Sequence, residues 1–350
     1  MKYKFCKQLQ NSIFIGFDSL VHCCNCTQDQ SPVFQKNYKG QKVDWKAIVD
    51  EKLKFQKNAK DSTDSYFPFS ACENCHMYVE GEWDDGGYIN EITISHWTKC
   101  NCNCFYCFTA KDKNHSQTRE TYLLMPILED MKNSKVLNFY KERGIVRFLG
   151  GDVAMLDNFD EIQNFFLEQG ATNFYIPTSA IKYLSSVQNL LEKGFAEVIV
   201  SVDSGSKEIY KRIKRVDVYD TVICNIQKYA EAAKKGKSIF KAKYILLPFV
   251  NDKKEEIDKF LENCIKIGVE NIACDCEDNF ITIYKESIPA NIPELIEYMH
   301  QRGQELGLSV QNFRYASQLI YEIEHGVAKV DIYKEKEQEQ KLFMEKLLTR

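Results

Sequence analysis

The 350-residue sequence has no apolar run long enough to cross a bilayer. Its longest clean one, Tyr244 to Val250, falls far short of the ~20 residues that a spanning helix needs. The stretch from Ile13 to Phe17 is too small for the apolar region of a secretory signal. The chain also lacks an excess of either charge. Its 46 Lys and Arg are mixed with 50 Asp and Glu, for a net charge of −4 and an isoelectric point near 6.0. Nothing in that balance draws the protein to nucleic acid or to an anionic membrane surface. Solenoid repeats and low-complexity tracts are missing as well. These absences predict a cytoplasmic protein with neither nucleic acid nor membrane as partner. The 44% hydrophobic content supports a buried core, and the length suits one large domain plus a small extra one.

What the sequence has in excess is cysteine. Eleven of its fourteen are bunched at 23–26, 72–75, 100–107 and 274–276, not spread as disulfide pairs would be. Bunching favours metal, because a reducing cytosol keeps thiols available as the thiolates that ligate it.

From Glu91 onward, β-rich runs alternate with amphipathic stretches, the pattern of parallel strands joined by helical crossovers. Strands are expected at Glu91 to Ser95, Ile145 to Leu149, Thr172 to Pro177, Ala196 to Val202, Phe240 to Leu247 and Glu270 to Cys274. Helices are expected near Arg119 to Asn133, Phe159 to Gln169, Ile181 to Lys193, Tyr219 to Lys235, Lys254 to Ile267 and Pro293 to Leu306. Six such units predict an α/β fold, an open (β/α)6-type partial TIM barrel whose chemistry sits at the C-terminal ends of its strands. The expected division is a cysteine-rich module over 1–88, the barrel over 89–310 and a helical extension over 311–350. The module holds a polar segment from Lys36 to Asp64 and few strand signals; the extension ends in a charged helix near Lys334 to Arg350.

Directly after the first barrel strand come Cys100, Cys104 and Cys107, spaced three-between and two-between, with Tyr106 before the last. Three thiolates hold three irons of a cubane and leave the fourth open to a chelating small molecule. Cys102 lies inside the loop and is read as a loop residue. The pairs Cys72/Cys75 and Cys104/Cys107 also fit zinc ribbons, so a non-catalytic zinc-stabilised β/α scaffold is the alternative reading.

The three-cysteine spacing with its aromatic residue resembles the motif of the radical SAM superfamily. That resemblance implies a 4Fe-4S cluster on Cys100, Cys104 and Cys107. It implies reductive cleavage of S-adenosylmethionine to a 5′-deoxyadenosyl radical, with hydrogen abstraction from a peptide or small-molecule substrate. A low-potential donor such as flavodoxin or ferredoxin would supply the electron. Gly150, Gly151 and Asp152, after the second strand, match the segment that bonds the methionyl amine, with Asp and Val153 replacing the usual Glu and Pro. Ser201 and Asp203, ending the fourth strand, match the stretch that contacts the ribose and carboxylate; Lys214 is a further candidate for the carboxylate, and Ser206 reads as a helix cap. Lys241 and Lys243 share one strand face and call for carboxylate partners. Cys274 and Cys276 read as small buried hydrophobes.

Cys23, Cys26, Cys72 and Cys75 make two local pairs, a full set for a second iron-sulfur cluster or for zinc, with Cys24 or Cys6 able to replace one member. The arrangement resembles the auxiliary-cluster module known as SPASM, placed before the barrel instead of after it. His22, His76 and His96 read as surface or supporting residues, and Trp83 and Trp97 as packing.

Overall fold

The fold is described from a computed structural model covering residues 3–16, 19–23, 33–35, 42–62, 66–73, 75, 78–83, 86–107, 122–140, 144–277, 284, 287–289, 291–331 and 337–349. It is mixed α/β, with a largely parallel sheet that stays open. The chain divides into two compact units, Met1–Lys99 with Thr118–Ile176, and Cys100–Gln117 with Pro177–Arg350.

Unit 1 contains β1 (Tyr3–Phe5), α1 (Lys7–Asn11), β2 (Ser12–Ile15), β3 (Leu20–Val21), β4 (Val33–Gln35), α2 (Trp45–Asp61), β5 (Val79–Gly81) and β6 (Glu91–Ile94). It continues through α3 (Met125–Asn133), β7 (Ile145–Phe148), α4 (Phe159–Glu168) and the start of β8 (Phe174–Thr178). Strands β8, β7, β6 and β2 run parallel in that order, and β3 and β4 extend the edge antiparallel. Residues 12–15, expected in a separate module, thus pair in register with the first barrel strand, Ser12 opposite Glu91 and Ile15 opposite Ile94. All four residues of β6 are buried, including Glu91, which receives Gln8 Nε2 at 2.9 Å and pairs with Arg147 at 3.2 Å.

Two helices depart from expectation. The polar segment over 36–64 holds α2, capped by the Asp44 side chain accepting from Ala47 N–H at 3.0 Å. Its buried face, Trp45, Ile48, Val49, Lys52, Phe55, Gln56 and Ala59, follows helical spacing, but Lys52 and Gln56 interrupt the apolar stripe that would have announced it. Helix α3 begins at Met125, where Pro126 fits the first turn because its missing N–H has no partner there; the expected start at Arg119 lies outside the described residues.

Unit 2 contains α5 (Ser185–Glu192), β9 (Ala196–Ser201), α6 (Lys207–Lys214), α7 (Tyr219–Gly236), β10 (Ile239–Leu246), α8 (Lys254–Lys266) and β11 (Asn271–Cys276). Beyond these come β12 (Ile288–Pro289), α9 (Asn291–Glu305), β13 (Ser309–Asn312), α10 (Arg314–Glu324), β14 (Val330–Asp331) and α11 (Glu337–Thr349). Strands β9, β10, β11 and β13 are parallel neighbours. Strand β13 was not expected from the pattern; its alternation of exposed and half-buried residues carries little apolar signal. The face-sharing lysines of β10 find their carboxylates: Lys241 meets Glu197 at 2.9 Å and Lys243 meets Asp275 at 2.7 Å. Among the described residues, no helix is long and apolar enough to cross a membrane.

Candidate functional site

The cysteine loop lies in unit 2, fixed to the end of α6. Asn103 N–H donates to the Lys214 carbonyl at 3.1 Å and Phe105 N–H to the Ile213 carbonyl at 3.3 Å. Carbonyls in a last helical turn have no partner within the helix, so the loop caps them. Cys107 N–H returns to the Cys104 carbonyl at 3.1 Å, and Cys102 N–H points to Cys100 Sγ at 3.4 Å. Cys100 is exposed, whereas Cys102, Cys104 and Cys107 are half-buried. The Cys104 thiol is lowered to about 7, first by the hydrogen bond from Cys102 and then, against the cost of burial, by the Lys214 ammonium.

Tyr106 anchors the loop from below. Its hydroxyl donates to Asp203 Oδ2 at 2.7 Å and accepts from Lys214 Nζ at 2.8 Å, while Lys214 also pairs directly with Asp203. Asp203 is fully buried and Lys214 is 3% exposed. Burial works against the Lys214 charge, but the Asp203 carboxylate prevails and holds its pKa well above the ordinary lysine value. Asp203 Oδ1 accepts Ile245 N–H at 2.9 Å, and the Asn251 side-chain amide donates to the Asp203 and Ile245 carbonyls, each at 2.8 Å. Asp203 adopts φ 61°, a left-handed conformation that costs a non-glycine residue on the order of 1 kcal/mol. Both of its carboxylate oxygens therefore serve the protein itself.

The neighbouring serines differ in role. Ser206 starts α6 but does not cap it with its side chain; its hydroxyl and N–H, with Gly205 N–H, all donate to Glu256 Oε1 at 2.8–2.9 Å. Ser201 is half-buried at the end of β9. Ser204 Oγ is buried and has no hydrogen-bond partner among the described residues.

Within unit 1, Gly150 and Gly151 lie against the chain that leads into the loop. Gly151 N–H donates to the Trp97 carbonyl at 2.9 Å and Asp152 N–H to the Lys99 carbonyl at 3.0 Å. A Cβ on Gly150 would come within 2.5 Å of Trp97, and one on Gly151 within 2.1 Å of Lys99 O. Only glycine permits that approach. Asp152 is buried, and its carboxylate accepts Ala154 N–H at 2.8 Å.

Of the amino-terminal cysteines, Cys23, Cys72 and Cys75 pack in one buried cluster, and Cys6 joins them. Cys26, Cys24 and His76 lie outside the described residues. Cys274 and Cys276 are buried on β11, and burial raises the Cys274 thiol to about 12, as suits a small apolar side chain. His22 sits 3.1 Å from Glu51, yet burial and then Lys52 hold its pKa down to about 3. The contact is therefore a neutral imidazole against a half-exposed carboxylate, which solvent screens. His96 is buried beside Trp97 and Tyr122. Sequence reasoning missed Asn251 and Glu256, which brace the β9–α6 turn from later elements and carry no local motif.

A parallel α/β sheet with a thiol-rich loop after a buried strand defines an α/β protein equipped for a thiolate-bound metal group. The radical SAM superfamily model matches residues 94–261, and the protein carries a radical SAM domain. Over 177 residues it is 25% identical to a GTP 3',8-cyclase of Clostridium botulinum, covering 50% of this chain and 53% of that protein. A probable GTP 3',8-cyclase of Sulfurisphaera tokodaii is 26% identical over 189 residues, covering 53% and 56%. The chain thus spans about half the length of these curated relatives. In fold it is similar to Streptococcus suis SuiB in the crystal structure bound to precursor peptide SuiA, with a TM-score of 0.52, 14% identity, and coverage of 79% of this chain and 64% of that one.

Such a domain implies a 4Fe-4S cluster and S-adenosylmethionine. Among the described residues, no three His, Cys or acidic side chains are already spaced to hold a metal ion. The donor set nevertheless fits: the loop offers soft thiols, one of them drawn toward its thiolate form, and Ser204 presents an unsatisfied buried hydroxyl.

Proposed function

We propose that the protein is a radical SAM enzyme whose Cys100, Cys104 and Cys107 ligate a 4Fe-4S cluster. When bound, that cluster would supply the one-electron reduction that cleaves S-adenosylmethionine between sulfur and the ribose 5′ carbon, for hydrogen abstraction from substrate. The observation that carries the reading is the locked cysteine loop, held by Tyr106, Asp203 and Lys214 inside the region that the family model matches. Tyr106 and Asp203 act by positioning, since the tyrosine hydroxyl and both Asp203 oxygens are engaged within the protein. Lys214 sets a buried positive charge near the thiolates. The motif assigns the Gly150, Gly151 and Asp152 backbone to the methionyl amine. Ser201 and the Ser204 hydroxyl are assigned to the polar groups of the ribose and carboxylate.

The electron comes from a low-potential carrier such as flavodoxin or ferredoxin in the cytoplasm. The substrate is a peptide or a small molecule. A peptide is bound to the SuiB fold neighbour, and GTP is the substrate in the names of the curated relatives.

The test is anaerobic purification, reconstitution with iron and sulfide, reduction with dithionite, and measurement of 5′-deoxyadenosine formed from S-adenosylmethionine. Wild type should form it and Cys104→Ala should not. Bound zinc with no cluster and no 5′-deoxyadenosine refutes the proposal in favour of a zinc scaffold.

A further inference from the structure

Four cysteines from three separate stretches of sequence share one small core of unit 1, without three of them standing at metal-ligand spacing there. Cys6, Cys23 and Cys72 are buried at 4%, 6% and 5% exposure, Cys75 is half-buried against them, and Leu9, Tyr78 and Trp83 close the surroundings. The backbone explains the meeting. Strand β1 pairs antiparallel with β5, Phe5 opposite Val79, which brings Cys6 beside Tyr78. Tyr78 N–H donates to the Cys75 carbonyl at 2.9 Å and Cys75 N–H to the Cys72 carbonyl at 3.2 Å, so the Cys72–Cys75 turn lies under the same strand pair. On the other side, Lys52 Nζ on α2 donates to the Leu9 carbonyl at 2.9 Å and the His22 carbonyl at 3.4 Å. That lysine ties the helix following Cys6 to the residue preceding Cys23.

Lys52 is the feature that a purely apolar core does not explain. It is 3% exposed, and its hydrogen-bond acceptors are neutral carbonyls. A buried ammonium is costly unless anions lie near it; Glu51 acts on it electrostatically, but that side chain is 40% exposed and solvent screens it. Of the surrounding groups, Cys23 and then Cys6 act most strongly on that charge, ahead of Glu51. As neutral thiols the four cysteines pack like small hydrophobes; as metal-bound thiolates they supply buried negative charge beside the ammonium.

We infer that Cys6, Cys23, Cys72 and Cys75 are the four thiolate ligands of a second metal centre, with Lys52 as its buried counter-cation. Four thiolates outweigh the charge of either a zinc ion or an iron-sulfur cluster, so the centre is net negative with either occupant, and both suit this donor set. Cys6 takes the place given to Cys26 in the set read from spacing; Cys26 itself lies outside the described residues. The centre lies wholly in unit 1 and does not depend on cleavage of S-adenosylmethionine.

The test uses the full chain carrying Cys100→Ala, Cys104→Ala and Cys107→Ala, which removes the first cluster. It is loaded anaerobically with iron and sulfide in one arm and zinc in the other, then assayed for metal and acid-labile sulfide per chain. Retention of about four irons with sulfide, or of about one zinc, is expected and identifies the occupant. Adding Cys6→Ser should abolish that retention, and adding Cys24→Ser with Cys26→Ser should leave it unchanged. Metal retained after Cys6→Ser, or lost with the Cys24/Cys26 pair, overturns the assignment. Should Cys6→Ser fail to fold, the 113Cd chemical shift of the Cys24→Ser/Cys26→Ser chain decides: a four-thiolate signal supports Cys6, and fewer thiolates refute it.

Discussion

Lys214→Met removes the charge that Asp203 faces while keeping a flexible apolar stem. Asp203 is fully buried and Lys214 nearly so, so the substitution strands a carboxylate in the protein interior. Breaking one side of such a pair costs about 3–5 kcal/mol. The same helix provides its own control, since Lys211 pairs with Asp217 at 2.7 Å with both side chains more than 60% exposed. Lys211→Met should cost less than about 1 kcal/mol. At roughly 2–4 °C per kcal/mol for units of this size, Lys214→Met lowers the thermal midpoint by about 6 °C or more and Lys211→Met by no more than about 4 °C. Differential scanning of the protein without its metal reads both. Because the folded pKa of Lys214 is raised, its stabilisation is complete below the unfolded lysine value of about 10.4 and is lost only as pH rises through the folded value. The gap between wild type and Lys214→Met should therefore stay constant from about pH 7 to 9. Equal midpoints for the two methionine variants would refute the argument that the buried triad holds the loop.

His96 is buried and its pKa is lowered to about 4 by desolvation, so its neutral ring stabilises the fold above the unfolded value of about 6.5 and that stability is lost as pH falls through the range down to 4. Between pH 7 and 4, wild type should lose about 3 kcal/mol more than His96→Phe; matching acid limbs in urea unfolding would contradict it. Gly151→Ala places a Cβ 2.1 Å from the Lys99 carbonyl, where the neighbour is backbone and cannot swing away. A loss of about 3 kcal/mol is expected, and a thermal midpoint equal to wild type would show that the approach is not tight. Cys102→Ser should keep the reconstituted iron content of wild type, whereas Cys104→Ala should lose the loop cluster; equal losses would make Cys102 a ligand.

The β/α alternation was legible because buried parallel strands are nearly continuous apolar runs, and β6 through β11 lie within about two residues of their expected positions. The loop was legible for a similar reason: its chemistry is contained in eight consecutive residues. Helix α2 escaped notice because Lys52 and Gln56 occupy its buried face. The Asp203 network was half visible. Asp203 and Lys214 were individually marked as cofactor contacts, but nothing local tells that Tyr106 and Lys214 consume the carboxylate, a pairing made 97 and 11 residues away in sequence. Cys6 posed the same difficulty. Spacing alone paired Cys23 with Cys26, which lies outside the described residues, whereas Cys6 joins Cys72 and Cys75 through the β1–β5 pairing, a contact across more than seventy residues.

The loop's rigidity follows from complementary deficits. The end of α6 leaves carbonyls without donors and carries partial negative charge from the helix dipole, neither of which suits a neighbouring set of thiolates. The Asn103 and Phe105 amides satisfy the carbonyls, and the Lys214 ammonium at the same helix end offsets the charge. Lys214 in turn requires a buried anion, which Asp203 supplies at the expense of a left-handed backbone, and that backbone is held by Ile245 and Asn251. Each group answers a need created by the previous one, so the chain of dependence runs from β10 to the cysteines. A substitution at Asn251, remote in sequence from every cysteine, should consequently loosen the loop. In Asn251→Ala the Ile245 and Asp203 carbonyls and the Leu247 amide all lose their partner. At about 1 kcal/mol or more for each stranded buried group, the strained Asp203 conformation is no longer over-determined. Faster exchange of the Asn103 and Phe105 amides is the expected result, and unchanged protection would show that the loop is held by the thiol turn alone.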